Sequence, residues 1–224
     1  MNTNQVARLE VLRCIQAFLD GIAGPLGRVN HSAARAALDC AVARIGQLAA
    51  VQEMAQVGAT SQTKVKTALR NVLRERHLRP IAAIGQSPAA ESAHLGRFPM
   101  PSKHLRDFDL VAAARAMAHA VEEHPALFVD AQALPADCAF EIRVAAAALE
   151  HAIAERDRHR AQLRSATFAL AVELTGVRAE VKILDALVTR ELRGRRDLFA
   201  GWQMAKAAKR PNNSQPRKEA TCAQ

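Results

Sequence analysis

The chain has 224 residues, half of them apolar, with no tyrosine, one tryptophan and a formal net charge of +9. Forty-eight alanines argue for an all-α protein, because alanine is the best helix former while strands favour β-branched and aromatic residues. No run reaches the roughly 20 apolar residues of a membrane span, and none of the four cysteines forms a Cys-x-x-Cys pair, which excludes zinc-ribbon and thioredoxin motifs.

Residues 3–20 carry Val6, Leu9, Leu12, Ile15, Phe18 and Leu19 at helical spacing, and Gly21, Gly24, Pro25 and Gly27 break the pattern. The N-terminal residues hold charges where a secretory signal has its apolar region, so no signal peptide is read there. Asn30 or Ser32 is placed to cap a second helix running to about Val57, with Gly58 as its stop. Thr60 or Ser61 would then cap a third helix, making an antiparallel hairpin with the second. Cys14 and Cys40 fall among apolar residues and read as small buried hydrophobes. Pro80 predicts a kink or restart before Ile81 and Ile84.

Residues 86–101 hold three prolines and no periodicity, and read as a linker between an N-terminal helical hairpin or bundle, residues 1–85, and a C-terminal helical part, residues 102–210. Ser102 is placed to cap a helix ending near His124, and residues 126–131 form a short helical piece. Leu134-Pro-Ala-Asp137 reads as a helix entry, since proline suits the first turn and aspartate the positive helix end.

The long helix that follows, from about residue 137 to 192, dominates the sequence. Ile142, Ala146, Leu149 and Ile153, then Leu163, Thr167, Leu170, Leu174, Val177, Val181, Leu184 and Val188 recur in steps of three and four, the period of a coiled-coil seam. Arg156 and Arg160 interrupt the stripe and are expected to be exposed where its cover stops. Gly176 leaves the phase intact, so one helix is expected in preference to two. Gly194 ends it, a short helix carries Leu198 and Trp202, and residues 211–224 are polar and unperiodic, as in a disordered tail.

Charge is unevenly spread: residues 58–101 carry seven basic and two acidic side chains, and residues 102–150 carry four and eight. Lys64, Lys66, Arg70, Arg74, Arg76 and Arg79 are the candidate contacts for nucleic acid or another anion, because phosphate binding needs cations at a regular rise. A solvated helix face is the simpler account of the same residues. Few aromatic platforms accompany them, so any binding would be weakly sequence-specific. His151, Glu155 and His159 share a helix face, yet Arg156, Arg158 and Arg160 beside them oppose a cation. No metal site is assigned. Walker, dinucleotide-binding and nucleophile-elbow motifs are all missing from the sequence. No catalytic residue and no cofactor is therefore called.

The segments Leu134-Pro-Ala-Asp137, Lys182-Ile-Leu-Asp-Ala-Leu-Val188 and Leu198-Phe-Ala-Gly-Trp202 resemble uncharacterised alanine- and arginine-rich all-helical bacterial proteins. The resemblance implies helix and no activity. The expectation is a non-enzymatic, cytoplasmic helical interaction or scaffold protein with a protein partner or self-association. Weakly specific nucleic-acid binding through residues 64–79 is the alternative.

Overall fold

A computed structural model describes residues 1, 3–22, 24–87, 99–130 and 134–207. Every regular element among them is helical. In chain order these are α1 (Thr3–Gly21), a single turn α2 (Gly27–Asn30), α3 (Ala33–Val72), a π-helical turn (Leu73–Leu78), α4 (Arg79–Gly85), α5 (Asp107–Glu123), a second π-helical turn (Ala126–Asp130), α6 (Cys138–Glu191) and α7 (Arg196–Lys206). The tail and most of the 86–101 linker lie outside the described residues.

The chain forms two compact units, residues 1–54 with 162–224, and residues 55–161. This partition differs from the division into 1–85 and 102–210 expected from the linker. Linear composition marks where a loop runs, but a long helix shares its length between whichever elements cover it, and both unit boundaries fall inside α3 and α6.

In the first unit, Leu9, Leu12, Ile15 and Leu19 of α1 and Leu38 and Ile45 of α3 enclose Leu170, Leu174, Leu184 and Val188 of α6, with Trp202 of α7 fully buried among them. Gln52 donates to Thr167 at 2.7 Å and Arg44 to Glu173 at 2.9 Å, tying α3 to α6. Arg35 is a buried cation with two carboxylates, Asp20 and Asp39, each at 2.8 Å. The turn before α7 needs Gly194, whose φ of +92° is a conformation that residues with a Cβ avoid.

In the second unit, Leu73, Leu78 and Ile81 meet Leu110, Met117 and Val121 of α5 and Ile142, Leu149 and Ile153 of α6, with Phe128 filling the centre. Three expectations are corrected here. Gly58 does not end a helix: α3 runs 40 residues through it. A Cβ at Gly58 would lie 2.7 Å from the His159 imidazole, so the glycine lets α6 approach α3. The hydroxyls of Thr60, Thr63 and Thr67 donate to carbonyls four residues earlier and cap nothing. Ser102 is also no cap, because α5 starts at Asp107 and the Ser102 hydroxyl accepts instead from the His104 amide at 3.2 Å.

Pro80, near the start of α4, has no N–H to donate, and the wide turn over Leu73–Leu78 directly precedes it. A π-turn re-spaces the backbone hydrogen bonds where a proline would otherwise clash with the carbonyl four residues back.

Cys14 and Cys40 are exposed, contrary to the burial expected of them, and Cys138 is buried. The first two sit on the solvent side of α1 and α3, where helical phase overrides local hydropathy.

Candidate functional site: a cationic pocket and two faces of the long helix

The helix α6 continues unbroken through Gly176. Its stripe is not uniformly covered. Leu170, Leu174, Val177, Leu184 and Val188 are buried, Leu163 and Val181 are half-buried, and Thr167 is exposed. Leu174, Val177 and Val181 also line an open apolar groove of about 330 Å³ with Val11, Leu12 and Ile15 of α1, rimmed by Arg8, Arg178 and Lys182.

The opposite side of α6 was not singled out from sequence. In the first unit, Phe168, Val172, Thr175, Ala179 and Ile183 are all exposed and recur in steps of four, three, four and four, which keeps them on one helix face. Phe168 is 73% exposed and Val172 53%. In the second unit, Phe140 and Val144 are likewise exposed. Their signal was present in the periodicity, but the deeper stripe, rich in leucine, masked it.

The candidate cationic face is not the free row that its spacing suggests. Lys66 donates to Asp107 at 2.6 Å. Arg70 pairs with the same carboxylate and donates its second nitrogen to the carbonyls of Lys103 and Leu105. Arg74 is buried and donates to the carbonyls of Pro101 and Ser102 at 2.7 and 2.8 Å. These three cations therefore hold the entry to α5. Lys64 and Arg76 remain exposed, and Arg79 is exposed beside Glu75 at 2.9 Å.

Arg156 is corrected as well. Its side chain is only 16% exposed, paired with Asp157 at 2.7 Å and lying 3.8 Å from Asp107. The apolar stripe stops there because α6 turns a cation toward Asp107; Arg160 alone of the two reaches solvent. Two sequence features that looked unrelated, the 64–79 face and the arginine-rich break in the seam, thus meet at one carboxylate.

Around that carboxylate lies an open pocket of about 460 Å³, lined by Lys66, Arg70, Lys103, Arg106, Phe108 and Arg156 among others. Burial pushes the Asp107 carboxyl upward, but hydrogen bonds and charge from Lys66 and Arg70 outweigh it and hold the group below the usual carboxylate range. Asp107 is therefore an anion at neutral pH, and the pocket around it is still strongly cationic.

A second cluster brings together Cys138, His77 and Glu141 around a cavity of about 220 Å³. His77 Nδ1 lies 3.7 Å from Glu141. Burial raises the Cys138 thiol, and burial together with Arg76 lowers the His77 imidazole against the pull of Glu141. Both groups are kept neutral, the opposite of what an activated thiolate–imidazolium pair requires.

Along the 151–159 face, His151 is exposed, Glu155 lies 3.7 Å from Arg158, and the His159 ring is folded against Gly58. Among the described residues no group of three or more His, Cys, Asp or Glu side chains is placed to hold a metal ion. No described helix is long and apolar enough to cross a membrane. No family model, no curated protein and no solved structure matches the chain.

Proposed function

We propose that the protein is a non-enzymatic helical interaction protein of the cytoplasm that self-associates through the outward face of α6. The observation that supports this is the exposed stripe Phe168, Val172, Thr175, Ala179 and Ile183. Three large apolar side chains, Phe168, Val172 and Ile183, on one exposed helix face are unfavourable in water unless something covers them. The stripe is nearly symmetric about Thr175 and Gly176. An antiparallel pairing with a second copy would set Phe168 against Ile183 and Val172 against Ala179, with the small residues at the crossing. A two-fold interface is self-complementary in this way. Free thiols at Cys14 and Cys40 suit a reducing compartment.

Light scattering tests the reading. Wild-type protein should form a dimer whose population rises with concentration. A double variant, Phe168→Lys with Ile183→Lys, should be monomeric with unchanged helicity, because both positions are exposed. A wild-type protein that stays monomeric at high concentration would sink it.

Weakly specific nucleic-acid binding along residues 64–79 is the second reading, supported by the exposed cations Lys64, Arg76 and Arg79. Phosphate contacts through them would weaken steeply as salt rises, whereas an apolar helix interface would not.

A further inference from the structure

We propose that the pocket around Asp107 binds a nucleotide, with phosphate among the cations and the base against Phe108. This does not rest on self-association.

The charge count comes first. Five cations line the pocket, Lys66, Arg70, Lys103, Arg106 and Arg156, and Asp107 is the one carboxylate among the lining residues. Asp157, which pairs with Arg156, and Asp109, in the same first turn of α5 as Asp107, bring the local carboxylates to three. Two positive charges therefore stay uncompensated. Lys66 and Arg70 are each only 15% exposed, so water screens them incompletely. Partly desolvated cations in excess favour a multiply charged anion more than a single carboxylate.

Placement comes second. Lys103 and Arg106 are exposed, and among the described residues their side chains make no hydrogen bond or ion pair. They are free to close on a ligand. The first turn of α5, a 17-residue helix, borders the same pocket, and Arg106 at its cap provides no side-chain hydrogen bond.

Phe108 is the third observation. It lines the pocket and is 62% exposed. An aromatic ring in water beside phosphate-seeking cations is the pairing that single-stranded nucleic acids and nucleotides use, since every base offers a face to stack. The volume of about 460 Å³ is within the usual range for such ligands.

The phosphate ester beside a base can belong to a free nucleotide or to a single strand. Calorimetry on the full chain separates these with four probes: ATP, a ten-nucleotide single-stranded DNA, inorganic pyrophosphate and adenosine. We expect ATP or the single strand to bind, with adenosine far weaker. Which of the two binds more tightly identifies the source. Lys103→Glu with Arg106→Glu should cost about tenfold or more in affinity, and Phe108→Ala about fivefold or more toward base-bearing probes alone. These three residues are exposed, so the variants should melt like the wild type. The proposal is overturned if neither ATP nor the single strand binds at millimolar concentration, or if charge reversal leaves binding unchanged. It is equally overturned if pyrophosphate binds as tightly as ATP and Phe108→Ala is silent.

Discussion

Asp107 and Asp185 organise their two units in opposite ways. Asp185 accepts from the Trp202 indole at 2.7 Å and pairs with Lys206, which also lies 5.5 Å from the centre of the Trp202 ring. One anion meets one cation and one neutral donor, and the cluster closes on itself. Asp107 instead receives Lys66, Arg70 and Arg156, with Lys103 and Arg106 at the pocket edge. Both carboxyls are raised by burial and lowered further by their donors, so both end below their ordinary range. The difference is the balance. A neutral cluster fixes a fold and has no further use for a ligand, whereas a cluster with surplus charge fixes the fold and still attracts an anion.

The largest effect should come from the closed side. Trp202 is completely buried and packs 5.5 Å from Phe18. Trp202→Ala should cost about 3–5 kcal/mol, read by chemical denaturation. If that loss is absent, α7 is not part of the first unit's core.

Next is the open side. Asp107→Ala leaves Lys66 and Arg70 without their shared acceptor and should cost roughly 1–3 kcal/mol or more. The pH dependence has a definite sign. A carboxyl whose folded pKa is depressed stabilises the protein above its unfolded pKa, about 3.9. That stability is lost as pH falls through the lower, folded value. Wild-type stability should therefore drop in acid below about pH 4, and Asp107→Asn should flatten the drop. An acid limb identical in the two proteins would show that Asp107 is not the charge that matters.

Gly58 separates helix propensity from helix contact. Alanine there should gain about 1 kcal/mol of helix propensity, but its Cβ meets the His159 ring at 2.7 Å. Overpacking costs typically about 1–3 kcal/mol. Gly58→Ala should thus destabilise the wild type and stabilise a His159→Ala background. The same sign in both backgrounds would mean that α3 and α6 are not pressed together at this point.

Gly194→Ala should have the smallest effect, about 1–2 kcal/mol from placing a Cβ at positive φ. Thermal melting reads it. It should act on the α6–α7 turn alone and leave the Asp107 pocket unchanged.

Much of the fold was legible because helices declare themselves locally. Alanine content and the three-four spacing gave all-α, and the phase carried through Gly176 identified one long α6. The breaks were harder. A glycine that stops a helix and a glycine that admits a neighbour look alike in one dimension, and only His159 distinguishes them at Gly58. Cys14 and Cys40 show the same limit, since a helix face turns to solvent or core according to what packs against it.

The candidate pocket was visible only in fragments. Sequence alone determined that Lys66, Arg70 and Arg74 lie on one helix face, and that Arg156 interrupts a stripe, because both follow from 3.6 residues per turn. It could not show that the two meet. Asp107 lies 41 residues from Lys66 and 49 from Arg156, and no local rule links positions so far apart. Tertiary structure decided which cations became internal ties and which stayed free. A charged side chain next to a partner at 2.6 Å is part of the fold. The same side chain without one remains available to a ligand.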